Sequence, residues 1–312
     1  MEEKIIGLDK EINLLKTLYK QGKIASSYLF LGKEGIGKKK IALHLAKILN
    51  CQKHQPCQKC QDCLLIDNNC HPDVYTISPE KSISIEDIRT LKNKTYIKSI
   101  SHWKVFIIND AHKLTIEAAN AFLKIQEEPP ENTTFILITH KLNMLPKTIQ
   151  SRAVKIWLSP NAEQIKTYLK TRYPQIPAQQ IDYLLGVYEN SLGKIKNFID
   201  SKETSIADET TKVLLSAEDF FNFNLSLKKK RQALKEELSF LMLFLRDCLV
   251  AKITPNSILL NSPYYEIINT YQKGCSPEEL IKKFSKVVEI YNSAENINMY
   301  LAAKLLTDIF YG

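Results

Sequence analysis

The segment Gly32–Lys38 (GKEGIGK) matches most of a phosphate-binding loop, G-x-x-x-x-G-K-[ST]. In such a loop, glycine N–H groups cradle phosphates, the lysine contacts the outer phosphates, and the final hydroxyl binds Mg²⁺. Lys39 stands where that hydroxyl is needed. The sequence therefore predicts a phosphate loop that lacks one metal ligand. Its candidate phosphate-binding residues are Gly32, Gly35, Gly37, Lys38 and Lys39.

A second metal ligand is altered further along the chain. Nucleotide hydrolysis at such a loop uses an apolar strand that ends in an acid that holds Mg²⁺, usually followed by a glutamate that activates water. Val105–His112 reads VFIINDAH, so the metal position is the neutral Asn109 and Asp110 replaces the glutamate. Because both protein contacts to Mg²⁺ are changed, we expect the loop to be architectural, or to bind nucleotide without turning it over. An active ATPase with another metal ligand is the alternative.

Four cysteines fall within 13 residues, at Cys51, Cys57, Cys60 and Cys63. Cys-x-x-Cys spacing lets two thiolates bind one ion from a tight turn, and four thiolates form a closed structural Zn²⁺ site. A bacterial ferredoxin-type iron–sulfur run has a further cysteine after three intervening residues, followed by proline, but the next cysteine after Cys63 is Cys70, followed by histidine. The spacing favours zinc, with Cys51, Cys57, Cys60 and Cys63 as ligands. Thiols without a metal, and His54 as a substitute ligand, are the other readings.

The charge balance is uneven along the 312 residues. Residues 1–160 carry 24 basic against 16 acidic side chains, and residues 161–312 carry 19 against 18. A basic domain attracts phosphate polyanions, which favours proximity to nucleic acid. The longest apolar runs are too short for a membrane span, and the N-terminus has no secretory pattern, so we expect a cytoplasmic protein with reduced cysteines.

Short apolar runs alternate with amphipathic stretches in the first half, as in a parallel sheet covered by helices. Ser84 and Thr115 can cap two of those helices, and Pro129-Pro130 must end the second near Glu128. After Ser159-Pro160 only helical patterns remain. The predicted strands are 27–31, 74–77, 105–108, 134–138 and 154–157, and the predicted helices include 39–49, 163–171, 178–189 and 194–200.

Taken in order, these motifs resemble the clamp-loader AAA+ proteins of bacterial DNA polymerase III, and within that family the delta-prime-type subunits. The resemblance covers about residues 5–200. The segments that carry it are SYLFLGKEGIGK, the embedded four-cysteine module, HPDVYTISPEKS, VFIINDAHKLTIEAANAFLKIQEEPPENTTFILITH and TIQSRA.

The resemblance implies that Arg152 is an arginine finger and argues against ATP sensing at Lys194. Ser151-Arg152 matches a Ser-Arg-Cys motif whose arginine acts as a finger toward the ATP site of a neighbouring subunit; here Ala153 replaces the cysteine. Lys194, in SLGK, stands where ATP-active relatives carry the arginine of a second sensor. It departs from the active pattern, as do Lys39, Asn109 and Asp110.

The resemblance also implies three domains. These are an α/β AAA+ P-loop domain at 1–160, with a five-stranded parallel sheet and a zinc module at about 51–63; a small helical lid at 161–203; and an all-α collar at 204–312 that oligomerises.

We therefore expect a non-hydrolysing subunit that helps to load the sliding clamp onto primed DNA. Its partners would be gamma/tau-like ATPases, a delta-like subunit, the clamp, and DNA contacted through its backbone. Zn²⁺ would be its structural cofactor, and binding of ATP and Mg²⁺ by this chain is doubtful. The alternatives are an active gamma/tau-like ATPase, a stand-alone zinc-containing DNA-binding protein and a redox iron–sulfur protein.

Overall fold

Two compact units make up the chain, residues 1–161 and 162–312. A computed structural model describes residues 5–53, 55–176, 178–201, 206–214, 216–226, 231–254, 259, 264–294 and 296–311. His54, the suggested substitute zinc ligand, lies outside the described residues. The first unit ends one residue after the predicted AAA+ domain boundary. The division of the second unit into lid and collar stays a prediction.

A five-stranded parallel sheet forms the centre of the first unit, in the order β2-β3-β4-β1-β5. The predicted parallel sheet is thus confirmed, and three of the five predicted strands have the observed bounds. Strand β3 begins one residue earlier than predicted, and β4 is one residue longer than predicted at each end. The strands are β1 Ser27–Leu31, β2 Val74–Ile77, β3 Lys104–Ile108, β4 Thr133–Thr139 and β5 Val154–Trp157.

Both faces of the sheet are buried, which explains why the central strands are continuous apolar runs. Successive side chains of β1 point to opposite faces. Tyr28 and Phe30 pack in one core cluster, and Leu29 and Leu31 pack in another. Helices therefore cover both faces, as predicted.

The capping signals read from the sequence are present. Ser84 and Asp87 form a capping box at the start of the helix that ends at Tyr96. The Thr115 side chain accepts a hydrogen bond from the Ala118 N–H, and the following helix ends at Glu127, before Pro129-Pro130. The helices of the first unit are α1 Asp9–Lys20, α2 Lys38–Asn50, α3 Gln61–Asp67, α4 Ile85–Tyr96, α5 Ile116–Glu127 and α6 Lys147–Ser151, with short 3-10 turns at Ala111–Lys113 and Leu142–Met144.

The described part of the second unit is helical, as predicted. None of the helices described in either unit is both long and apolar enough to cross a membrane. The helices of the second unit are α7 Ala162–Arg172, α8 Ala178–Val187, α9 Leu192–Ser201, α10 Ile206–Val213, α11 Ala217–Ser226, α12 Arg231–Ile253, α13 Tyr265–Lys273, α14 Pro277–Ser293 and α15 Met299–Tyr311.

Candidate functional site

The phosphate loop lies between the carboxyl end of β1 and the first turn of α2. Gly32 has φ +144°, and a Cβ there would lie 2.5 Å from Ile36 Cδ1 and 2.7 Å from the Leu158 carbonyl oxygen. Gly37, with φ +101°, is the N-cap residue of α2. Only glycine fits these backbone positions without strain, in keeping with the glycine pattern of the predicted phosphate loop.

Lys38 is buried, and its ammonium group hydrogen-bonds to its own loop. Nζ donates to the carbonyl oxygens of Gly32, at 2.7 Å, and Lys33, at 2.6 Å. The next residue, Lys39, lines a small cavity together with Ile66 and Thr76, beside β2. Position 39 therefore brings a cation, not a hydroxyl, to the first turn of the loop's helix.

Asn109 and Asp110 follow β3, on the same edge of the sheet as the loop. Since β4 pairs with both β3 and β1, the carboxyl ends of these three parallel strands lie side by side. This edge is where open α/β sheets bind ligands. The Asn109 N–H donates to the Ile77 carbonyl oxygen at 2.9 Å, and Asp110 has a left-handed backbone, φ +50°. The structure thus brings the altered residues to the ligand-binding edge.

Two histidines at this edge were missed by the sequence reasoning. His112 and His140 have ring centroids 4.6 Å apart in an edge-on arrangement. Burial, followed by the charge of His140, holds the pKa of His112 below its usual range. Burial, followed by the charge of Lys38, lowers the pKa of His140. The available signal was their position, because one follows β3 and the other comes directly after β4.

Arg152 lies at the exposed end of α6, as its C-cap residue. Its Nη2 donates to Glu127 Oε1 at 2.6 Å, and its Nη1 donates to the Thr148 carbonyl oxygen at 3.1 Å. The Arg152 side chain is 40% exposed. Its guanidinium is therefore at the surface and held by an exposed partner of the same chain.

Lys194 belongs to the second unit, in the first turns of α9. Its backbone N–H donates to Ser191 Oγ at 3.5 Å. Its role as a second sensor stays a prediction.

Four cysteine thiols converge at the end of α2 and the start of α3. Cys51 is the C-cap residue of α2, Cys60 is the N-cap residue of α3, and Cys63 is buried within α3. The Cys57 sulfur accepts a hydrogen bond from the Cys60 N–H at 3.3 Å, across a turn in which Gln58 has φ +60°. The four Sγ atoms all lie within 4.8 Å of one another.

This geometry fits a tetrahedral zinc ion. Four sulfurs that each lie ~2.3 Å from Zn²⁺ are roughly 3.8 Å apart, and Cys60 Sγ lies 3.8 Å from Cys51 Sγ. Backbone N–H groups, first that of Lys59 and then that of Cys60, lower the pKa of Cys57 to about 6. Burial raises the pKa of Cys63 to about 12.

Comparison with known proteins assigns the chain to a family. The family model for the "DNA polymerase III, delta subunit" matches residues 7–162. The gamma subunit of DNA polymerase III from Buchnera aphidicola is 36% identical over 173 residues, which cover 54% of this chain and 48% of that protein. The delta' subunit from Bacillus subtilis is 35% identical over 165 residues, which cover 48% of this chain and 50% of that protein.

The chain thus spans about half the length of these curated relatives. A gamma-subunit-related protein of DNA polymerase III from Thermotoga maritima, solved by crystallography, has a similar fold. The TM-score is 0.51 at 19% sequence identity, with 97% of this chain and 98% of that chain covered. The family match extends over half of the chain, from just before α1 to the end of the first unit. The chain therefore belongs to the DNA polymerase III clamp-loader family.

Proposed function

We propose that this chain is a delta-prime-like subunit of the clamp loader, which stimulates ATP hydrolysis by a neighbouring subunit and does not itself turn over ATP. The observation that carries the proposal is a contrast within one domain. The phosphate loop lacks its metal contacts, whereas the arginine that would act on a partner is intact and exposed.

The chemistry of the loop supports the first half of the proposal. Mg²⁺ binds oxygen ligands and is usually held by one or two carboxylates together with the phosphates of the substrate. At this site Lys39 replaces the hydroxyl and Asn109 replaces the acid. Without the bridging metal, positioning of the phosphates and stabilisation of their charge are both weakened.

The setting of Arg152 supports the second half. An arginine supplied by one subunit to the nucleotide of another stabilises charge in the transition state and accelerates hydrolysis by about 10³–10⁵. Such a residue must reach the surface and must exchange its local partner for the incoming phosphate. The exposed ion pair with Glu127 meets both requirements, because exposed pairs contribute only about 0–1 kcal/mol.

In the proposed complex, the four-cysteine module is structural. A zinc ion held by Cys51, Cys57, Cys60 and Cys63 would tie the end of α2 to α3, with no position left open for a substrate. The partners would be gamma/tau-like ATPases, a delta-like subunit and the sliding clamp. The basic first unit would attract primed DNA through its phosphates, without reading the sequence.

Reconstitution with an ATP-active gamma-like partner tests the proposal. We expect Arg152→Ala to abolish most of the stimulation of the partner's ATPase by this chain, with assembly unchanged. Arg89→Ala is the matched control, since Arg89 is another exposed arginine that pairs with a glutamate, Glu86. Full stimulation by the Arg152→Ala chain would refute the finger assignment.

A gamma/tau-like ATPase is the second candidate, because gamma and tau subunits are among the relatives. The isolated chain would then hydrolyse ATP in a Mg²⁺-dependent reaction. Measuring ATP turnover by the purified chain, with Lys38→Ala as the control for contamination, separates the two candidates.

A further inference from the structure

A second group of metal-ligating side chains lies beside the phosphate loop, separate from the four cysteines. It consists of Asp110, His112 and His140, and one ligand atom from each lies within 4.8 Å of those from the other two. His140 Nδ1 lies 3.9 Å from Asp110 Oδ1. We call these three residues the Asp-His-His cluster.

The backbone holds the cluster at one edge of the sheet. Asp110 lies two residues after the end of β3 and has a left-handed backbone conformation. His112 lies in the 3-10 turn that follows. His140 comes directly after Thr139, the last residue of β4. Because β3 and β4 are paired neighbours, the spacing of the three side chains follows from the register of the sheet.

Hydrogen bonds orient the buried histidine. His112 Nδ1 lies 3.0 Å from Thr139 Oγ1, and both side chains are buried. The same hydroxyl oxygen accepts the Lys141 N–H at 3.0 Å. In the tautomer in which His112 Nδ1–H donates to Thr139 Oγ1, the lone pair of His112 Nε2 is available to a metal. Metal-binding histidines are typically oriented in this way.

The two oxygens of the Asp110 carboxylate have different neighbours. Lys113 Nζ lies 3.3 Å from Asp110 Oδ2, which leaves Oδ1, the oxygen that faces His140, to act as a single-oxygen ligand. Solvent can enter the cluster, since the side chains of Asp110 and His140 are 30% and 25% exposed. An ion can therefore enter without unfolding the sheet edge.

We propose that the Asp-His-His cluster binds a divalent transition-metal ion of the zinc class, with three protein ligands and an open fourth position. Two imidazoles and one carboxylate suit Zn²⁺ and its neighbours, whereas Mg²⁺ requires oxygen ligands. Ligand atoms ~2.0–2.2 Å from such an ion lie roughly 3.4 Å apart. The Asp110–His140 pair, at 3.9 Å, is already close to that separation, and a ligand atom of His112 lies within 4.8 Å of both partners.

The proposed site differs from the four-cysteine module in its ligands, and from a nucleotide site in binding a metal of the zinc class where a nucleotide site binds Mg²⁺. Its ligands contain no thiolate, and its open position would take water or an anion. The proposal does not depend on the clamp-loader role, because it rests only on residues at the end of β3 and β4.

Metal counting on the full-length chain tests the proposal. The metal-free protein is titrated with Co²⁺ and then with Zn²⁺, and the bound ions per chain are measured along with the visible spectrum. Thiolate-to-cobalt charge transfer reports the four-cysteine site, while cobalt bound by the Asp-His-His cluster adds only ligand-field bands. We expect two ions per chain, of which one lacks the thiolate signature.

His140→Asn is the main variant, and His102→Asn, at an exposed histidine elsewhere, is its control. We expect His140→Asn to lose the non-thiolate ion, or to bind it at least about tenfold more weakly, and His102→Asn to keep it. Thr139→Val, which removes the orienting hydroxyl, should weaken binding by about 10- to 100-fold. Equal non-thiolate metal binding by wild type and His140→Asn, or none in the wild type, would overturn the proposal.

Discussion

Arg152 Nη2 lies 2.6 Å from Glu127 Oε1 and so joins the end of α6 to the last turn of α5. Glu127 is 48% exposed and Arg152 is 40% exposed, so water and salt screen their attraction. An exposed pair of this kind is worth about 0–1 kcal/mol. The pair can therefore hold Arg152 in a defined place and still release it to a stronger partner such as a phosphate.

Glu127→Gln tests whether this ion pair competes with the proposed finger role. We expect the free energy of unfolding to change by less than about 1 kcal/mol. Stimulation of a gamma-like partner's ATPase should stay the same or rise roughly two- to fivefold, since up to about 1 kcal/mol of competition is removed. Glu128→Gln is the neighbouring control. A large loss of stimulation would instead make Glu127 a positioning residue for Arg152.

Cys57→Ser tests the zinc module. We expect the thiolate-bound metal ion to be lost and amide hydrogen exchange to accelerate across residues 51–67, because binding of a structural zinc ion is coupled to local folding. Cys70→Ser is the matched control, since Cys70 is exposed and lies outside the group of four. Retention of the thiolate-bound ion by the Cys57→Ser chain would contradict the ligand assignment.

Lys39→Thr tests whether the missing hydroxyl limits Mg²⁺-dependent ATP binding at the phosphate loop. The single change restores the hydroxyl but not the acid, so we expect little gain in Mg²⁺-dependent ATP binding, measured by calorimetry with and without Mg²⁺. The double variant Lys39→Thr/Asn109→Asp should gain Mg²⁺-dependent affinity. Lys40→Thr, at an exposed position in the same turn, is the control. Strong Mg²⁺-dependent binding by the unaltered chain would show that another residue holds the metal.

Glu237, on α12, should make the stability of the second unit depend on pH. It is fully buried, and burial raises its pKa to about 8, an effect opposed by the Asn224 side chain. Burial of the Glu237 carboxyl group is therefore what favours its neutral form.

The sign of this dependence follows from the raised pKa. As pH rises, Glu237 loses its proton in the unfolded chain before it does so in the folded chain. The contribution of the protonated side chain to folding stability is therefore fully present below about pH 4.5 and is lost as pH rises to about 8. Glu237→Gln should match wild type at low pH. It should be more stable near pH 8 by a few kcal/mol, at about 1.36 kcal/mol per pKa unit. Denaturant unfolding across this range measures the difference, and parallel curves would contradict it.

Local patterns determined much of the first unit. Apolar runs marked the five strands, of which β1, β3 and β4 are buried along their whole length. Ser84 and Thr115 marked helix starts, because a capping side chain bonds to the backbone of near neighbours in sequence. The spacing of the four cysteines similarly predicted a group that the structure brings within 4.8 Å. Helices α1 and α3 were not predicted. The apolar side chains of α1 have helical spacing that was overlooked, and α3 begins inside the cysteine module.

Tertiary structure alone decided the contacts between distant segments. Arg152 meets Glu127 across 25 residues, and His112 meets Thr139 across 27. The His112–Thr139 contact depends on the carboxyl ends of β3 and β4 lying side by side, whereas the Arg152–Glu127 contact joins residues that precede β5 and β4, at the opposite edge of the sheet. Spacing along the chain carries no record of strand order. The altered phosphate loop was therefore readable from Lys39 and Asn109 in the sequence, whereas the histidine pair beside it emerged only once β3 and β4 were placed side by side.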